Sequence, residues 1–295
     1  MPADDRDSLR FDLCVPQDAP FDDLVERCRI AGSLGFGGVH VGDHSGDFRD
    51  LDGPWLDGWT VLAGLALRTE GVRIGTLVSN PIIRHPVLLA KEAIAVDRLS
   101  GGRLEVGVGT GIASWDHAAM GSEPWSPAER AGRFAEYVEI LDGVLRSAKR
   151  EFAFEGRFYR TSGAPTAPGP LQRPRPPITV GGQAPTVRRV AAERADCWNT
   201  HGPYGRSAEE IVEITRRQNR ELDEACERLG RRPGDVRRAV LLYGPLDPWS
   251  TGVDPVGLVA RFVDAGMREF VLFWPPDDDA GRLERVARRL MATAA

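Results

Sequence analysis

Leu99-Ser-Gly-Gly-Arg-Leu-Glu-Val-Gly-Val-Gly-Thr-Gly111 is the stretch on which the reading of the fold turns. Val106 and Val108 alternate with Gly107 and Gly109, the pattern of a short buried strand. The strand exits on Thr110-Gly111, where a glycine without Cβ lets a ligand come close to the backbone. A dinucleotide fingerprint needs G-x-G-x-x-G opening directly into a helix. Here the glycines fall at 107, 109 and 111, Ile112-Ala113 follow, and no capped apolar helix begins. The segment therefore points away from a dinucleotide site and toward another fold that binds small molecules at strand ends.

Outward from this strand the chain alternates strand and helix. Leu9–Val15, Gly38–Gly42 and Val72–Val78 read as strands one to three, and Arg103–Gly109 as strand four. Between them Phe21–Leu34, Asp57–Arg68 and Pro86–Leu99 carry helical spacing, the last with proline at its start. Ser126-Pro-Ala-Glu129 reads as a capping box opening the helix that carries Phe134, Val138, Leu141 and Leu145 on one face. Phe152–Thr161 reads as a hairpin-like excursion turning near Gly156, and Ser162–Pro177, rich in proline and glycine, as irregular.

The rhythm then resumes. Strand five is Pro177–Gly181, strand six Ala195–Asn199, strand seven Arg237–Tyr243 and strand eight Arg268–Trp274. Helices at Thr186–Arg194, Ser207–Leu229, Asp254–Gly266 and Gly281–Met291 follow them, the second opening on the box Ser207 to Glu210. Eight strands alternating with helices predict an α/β fold, a closed (β/α)8 TIM barrel, with an insertion between strands four and five. An open doubly wound sheet is the competing arrangement. No Pro/Gly linker divides the chain into two cores, so residues 1–295 read as a single domain.

Composition narrows the function. Hydrophobic residues make up 42% and charged residues 27% of the 295, as in ordinary globular proteins. The formal net charge of −5 argues against a nucleic-acid partner. No apolar run is long enough for a membrane span, and the polar segment Met1 to Arg10 is unlike a signal peptide, which together predict a cytoplasmic protein. Lys91 and Lys149 are the only lysines. Cys14, Cys28, Cys197 and Cys226 form no C-x-x-C and read as reduced, buried thiols. No histidine pair has metal-site spacing, and no G-x-S-x-G elbow supports a hydrolase.

In such barrels chemistry collects at the carboxyl ends of the strands. That rule selects His44 after strand two, Val78 to Asn80 after strand three, and Thr110-Gly111 after strand four. It also selects Gly181-Gly182-Gln183 after strand five, His201 after strand six, Tyr243 and Trp274. His44 is the candidate for proton chemistry, or else a strand cap bonding a backbone group. Asp43 beside it points to the opposite face. Gly181-Gly182-Gln183 leads to Pro185-Thr186 at a helix start, a site for phosphate or carboxylate or simply a tight turn. His40 reads as structural, His85 as a contact at a helix start, and His117 and His201 as rim-loop residues. Arg103, at the opposite rim, reads as paired with Asp97 or a backbone carbonyl. Trp55, Trp59, Trp115, Trp125, Trp198 and Trp274 read as an aromatic mouth or as core.

Several segments resemble the bacterial luciferase-like oxidoreductases. They are Gly42-Asp-His44, Arg84-His-Pro-Val-Leu-Leu-Ala90, Asp97 to Arg103, Gly107 to Gly111, Pro176 to Gly182 and Ala195-Asp-Cys-Trp-Asn199. The resemblance implies a (β/α)8 barrel with reduced FMN or coenzyme F420 at its C-terminal mouth. It implies that His44 is the active-site histidine and that Leu77 and Val78 form a strand-three bulge, cis in several members, backing the ring. Thr110 and Gly111 would line the cofactor, and Gly181, Gly182 and Gln183 would form its phosphate loop. Two departures stand out: Ile112 occupies a position that is glutamate in some F420-dependent sugar-phosphate dehydrogenases, and Asp116-His117 replaces the commoner Glu-His.

The function implied is a monooxygenase using reduced FMN on a small organic substrate. The alternatives are an F420-dependent oxidoreductase transferring hydride without oxygen, and a non-catalytic flavin-binding protein. A separate flavin or F420 reductase and a homodimer are the partners implied.

Overall fold

The structure, a computed structural model, describes residues 8–147, 151–276 and 279–293. Most of the polar N-terminal segment, and Lys149, lie outside them.

Eight parallel strands close into a barrel. In chain order they are β1 (Arg10–Cys14), β2 (Gly38–Val41), β3 (Arg73–Thr76), β4 (Leu104–Val108), β7 (Ile178–Gly181), β8 (Cys197–Thr200), β9 (Arg237–Leu242) and β10 (Glu269–Phe273). β1 pairs with both β2 and β10, with Cys14 opposite His40 on one side and Phe273 on the other. The helices α1 (Phe21–Ser33), α2 (Gly58–Arg68), α3 (Pro86–Leu99), α4 (Ser114–Ala119), α5 (Pro127–Arg146), α6 (Pro185–Arg194), α7 (Ala208–Arg228), α8 (Pro255–Asp264) and α9 (Ala280–Met291) complete the fold. The expected insertion is an antiparallel hairpin, β5 (Glu151–Glu155) and β6 (Arg160–Pro165).

Three local expectations need correction. The sixth barrel strand begins at Cys197 rather than Ala195, because Ala195 caps α6 by donating to the Ala191 carbonyl. The hairpin reaches Pro165, into residues expected to be irregular, since Glu151 and Phe152 pair with Pro165 and Ala164. The two capping boxes differ as well. Ser207 and Glu210 bond reciprocally, whereas only the Ser126 half forms, because the Glu129 carboxylate pairs with Arg133 at 2.9 Å.

β4 shows how the alternating pattern works. Leu104, Val106 and Val108 are fully buried in the hydrophobic core between barrel and helices. Glu105, Gly107 and Gly109 are the alternate positions and face the barrel interior. A Cβ on Gly107 would lie 2.0 Å from the Thr76 carbonyl oxygen, and one on Gly109 2.4 Å from Val78 Cγ2. Gly181 on β7 meets Val78 from the other side, at 3.0 Å. Gly107 therefore makes room for the β3 backbone, and Gly109 and Gly181 for the Val78 side chain.

Val78 enters the barrel where β3 is interrupted. The Leu77–Val78 peptide is cis, and pairing to β4 resumes at Ser79, whose N–H donates to the Gly107 carbonyl at 2.7 Å.

Toward the N-terminal end, the interior is charged and balanced. Arg10 bonds Asp12 (2.9 Å) and Glu105 (2.8 Å), Arg73 lies 2.6 Å from Glu105, and Arg237 bonds Glu269 at 2.7 Å. Burial works against the Glu105 carboxylate, but the surrounding arginines outweigh it and hold its pKa well below the ordinary range. His40, buried as expected of a structural residue, lies 3.0 Å from Asp12. At the lower rim Arg103 donates to the carbonyls of Ala66, Thr69, Val72 and Ser100 at 2.8–3.0 Å. Asp97 is not its partner; it accepts from the backbone of Leu171 and Gln172. All four cysteines are buried and free.

Candidate active site

At the carboxyl ends of the strands the barrel opens into a cavity of ≈ 200 Å³. Of the residues predicted for the site, His44 and Leu77 line it directly. Val78 lies beneath, packed between the glycines of β4 and β7. Thr110 and Gly111 are not among the lining residues, whereas the next two, Ile112 and Ala113, are. Gly111 has φ +71°, and a Cβ there would meet Ile82 at 2.9 Å and the Asn80 oxygen at 3.1 Å. Its glycine therefore serves the approach of the loop after β3.

His44 leaves β2 beside Asp43, and the two side chains go separate ways. His44 Nδ1 lies 2.6 Å from Asp116 Oδ2, on the short helix α4. Asp116 is fully buried and also accepts from the Ser45 N–H (2.8 Å), the Ser45 hydroxyl (2.6 Å) and the Asn80 amide (2.6 Å). Burial pushes its pKa up, but the bonds from His44 and Ser45 outweigh this and hold it below the usual carboxylate value. An anionic Asp116 accepts the Nδ1 proton and fixes the imidazole tautomer. Nε2 then has no protein partner among the described residues and is available to the cavity. Trp55 steadies the same turn by donating to the His44 carbonyl at 3.0 Å, and the Trp115 ring lies 5.8 Å from the imidazole.

Asp43 accepts from the Asn80 N–H (3.1 Å) and from Arg84, which also binds Asp57 and Glu92. Burial dominates in this cluster despite Arg84. The Asp43 carboxyl is pushed up to about 6 and that of Glu92 to about 7. Asn80 joins the two groups, with its backbone on Asp43 and its side chain on Asp116.

Sequence reasoning missed Asp116 as the partner of His44. The available signal was Asp116 opening a short helix behind the strand-four exit. His117, expected in a rim loop, is instead buried in α4, 2.9 Å from the Ser122 hydroxyl and edge-on to Trp125. His85 does cap its helix, accepting from Val87 N–H. Of the tryptophans, Trp55 and Trp115 line the cavity while Trp59, Trp198 and Trp274 are core.

Gly181, Gly182 and Gln183 do not line the cavity; they adjoin it. The Gln183 amide donates to the Gly202 carbonyl and lies 3.4 Å from the His201 ring, which is part of the wall. The Gly182 N–H is committed to the Asn199 carbonyl at 3.0 Å. The N–H groups of Gln183, Ala184 and Thr186 meet no protein acceptor among the described residues, and α6 has no side-chain cap. The Arg188 guanidinium donates to the Gln183 carbonyl and pairs with Glu221, and its buried Nε is without a partner. Free amides at an uncapped helix start suit an anion such as phosphate.

These features define a (β/α)8 barrel with a cavity at its C-terminal mouth, where barrels of this kind carry their sites. The chain belongs to the luciferase-like monooxygenase family, whose model matches residues 9–243. It is 31% identical over 176 residues to the oxygenase component of the flavin-dependent trigonelline monooxygenase of Acinetobacter baylyi, covering 59% of this chain and 46% of that protein. The matched part thus spans about half of that relative. An F420-dependent glucose-6-phosphate dehydrogenase of Intrasporangium calvum is 27% identical over 313 residues, covering 89% of this chain and 92% of the relative. Among solved structures, an F420-dependent secondary alcohol dehydrogenase in complex with an F420–acetone adduct superposes with a TM-score of 0.80 at 17% identity, covering 97% and 99% of the two chains. The named relatives are oxidoreductases, some flavin-dependent and some F420-dependent. Among the described residues no helix is long and apolar enough to cross a membrane.

Proposed function

We propose that this chain is an oxidoreductase that binds reduced FMN at the barrel mouth and acts as a monooxygenase on a small organic substrate. The observation that carries the reading is the His44–Asp116 pair, with Nε2 available to a cavity floored by Leu77. Leu77 and Val78 would back the flavin ring, Thr110 and Gly111 would border it, and the turn at Gly181, Gly182 and Gln183 would hold its phosphate. Bound reduced flavin supplies electrons for oxygen activation. The protein orients the ring, excludes water with its aromatic wall, and holds or moves a proton at His44 Nε2. Asp116 keeps that nitrogen deprotonated in the neutral ring and stabilises the imidazolium once it is protonated.

F420 is the second reading, favoured by the near full-length alignment to an F420-dependent relative. Because a trigonelline monooxygenase relative is an oxygenase component, a separate reductase is the proposed partner of the FMN form. Titration of the purified protein with reduced FMN and with F420, followed by fluorescence, tests the assignment. Tight binding of reduced FMN supports the monooxygenase. Binding of F420 alone transfers the protein to hydride chemistry, and binding of neither overturns the flavin-type reading altogether.

A further inference from the structure

Resting on that cofactor assignment, we propose that the half of the cavity away from Leu77 takes an uncharged small molecule with a ring-sized apolar body, not a sugar phosphate or other ion. The cavity has two unlike sides. On one, Leu77 stands above Val78 and the glycines of β4 and β7, the side assigned to the cofactor. The other is built by the ends of β9 and β10 and the loop after β2. There Phe48, Tyr243 and Phe273 form a triangle of rings with centroids 5.7–6.3 Å apart. Such a wall offers dispersion and apolar burial to a flat guest.

Charge is cancelled on this side. Among the described lining residues Arg49 is the one side chain with a formal charge. Its guanidinium is committed to Asp47, with Nε at 2.9 Å, and to Asp18 at 2.7 Å. An anionic guest would have to compete with two carboxylates already in place. Among the described lining residues no carboxylate is present to receive a cation. His201 adds none, because burial lowers its pKa and keeps the ring neutral near pH 7. The buried Cys14 thiol is pushed up to about 12 and offers no thiolate. Ile112 presents an exposed aliphatic side chain to the cavity. An ion entering here would lose hydration without gaining a partner, whereas a neutral ring loses little and leaves one polar group to face His44.

Four probes separate these possibilities: benzyl alcohol, benzoate, benzyltrimethylammonium and glucose 6-phosphate. Their binding is measured by calorimetry and by quenching of tryptophan fluorescence, on the full chain with and without added cofactor. Benzyl alcohol is expected to bind at least ~10-fold more tightly than any of the three ions, reflecting the cost of desolvating a charge. Phe48→Ala, at a partly exposed position, and Tyr243→Ala are each expected to weaken it by about 5- to 10-fold through lost ring burial. Tighter binding of any of the ions, or benzyl alcohol binding unchanged in both variants, overturns the proposal. Cofactor titration of the same samples reads the underlying assignment separately. If neither cofactor binds while benzyl alcohol still depends on Tyr243 and Phe48, the apolar pocket stands and the flavin-type reading falls.

Discussion

The two ends of this barrel use polar groups in opposite ways. Toward the N-terminal end, three arginines (Arg10, Arg73, Arg237) face three carboxylates (Asp12, Glu105, Glu269), and each charge has a partner of opposite sign. At the C-terminal end, Asp116 collects four hydrogen bonds so that one imidazole is held with its second nitrogen unspent. A closed set of ion pairs stiffens and does no chemistry; an open valence at the rim of a cavity can. Both ends stand on the same strands, so the contrast lies in which groups are left unsatisfied.

The comparison breaks most visibly at the lower end. Glu105→Gln leaves buried guanidinium groups without their shared anion and is expected to cost about 3–5 kcal/mol of stability. Urea unfolding measures this, and a loss below about 1 kcal/mol would show that the layer is not a closed network. At the upper end, His44→Ala is expected to lower turnover by about 10²- to 10⁴-fold with cofactor affinity largely kept. Steady-state rates and the cofactor titration together check it, and undiminished turnover would remove His44 from the chemistry.

Between the ends, Gly109→Ala places a Cβ 2.4 Å from Val78 Cγ2. Overpacking of this kind is expected to cost about 1–3 kcal/mol, read from the urea midpoint, and to weaken cofactor binding by lifting the cavity floor.

The smallest effect is on pH dependence. Asp43 and Glu92 titrate at about 6 and about 7 in the folded protein, above the ordinary carboxylate range near 4. The folded state therefore binds more protons than the unfolded one across that window, and stability falls as pH rises through it. Below about 4 both states are protonated and the contribution is constant. Glu92→Gln should flatten the decline between about pH 4.5 and 7.5 in unfolding midpoints, while an unchanged slope would remove Glu92 from the cluster.

The barrel was legible because its signals are local. The strand–helix alternation, Pro86 and Pro127 in first helical turns and the Ser207–Glu210 box all act within a few residues. His44 was legible too, as a histidine at a strand end in a fold that puts chemistry there. The glycines in and after β4 take a meaning that alternation alone does not give. At the strand exit a Cβ on Gly111 would meet Ile82 and Asn80 of the loop after β3, and at Gly109 it would meet Val78. The capping pattern at Ser126 overstated itself because Arg133, one turn on, claims the Glu129 carboxylate.

By itself, then, the sequence determined the count and order of the strands, the helix starts, and the rim at which the cavity opens. Only the tertiary structure decided that Asp116 reaches His44 across 72 residues, and that Asn80 ties the pair to Asp43 and Arg84. It alone decided that rings from the loop after β2, the end of β9 and β10 share one wall. The physical reason is the reach of the forces. Caps and periodicity act within a turn of helix or along a strand, whereas partners at the mouth are chosen by barrel closure, which brings together ends that are remote in the chain.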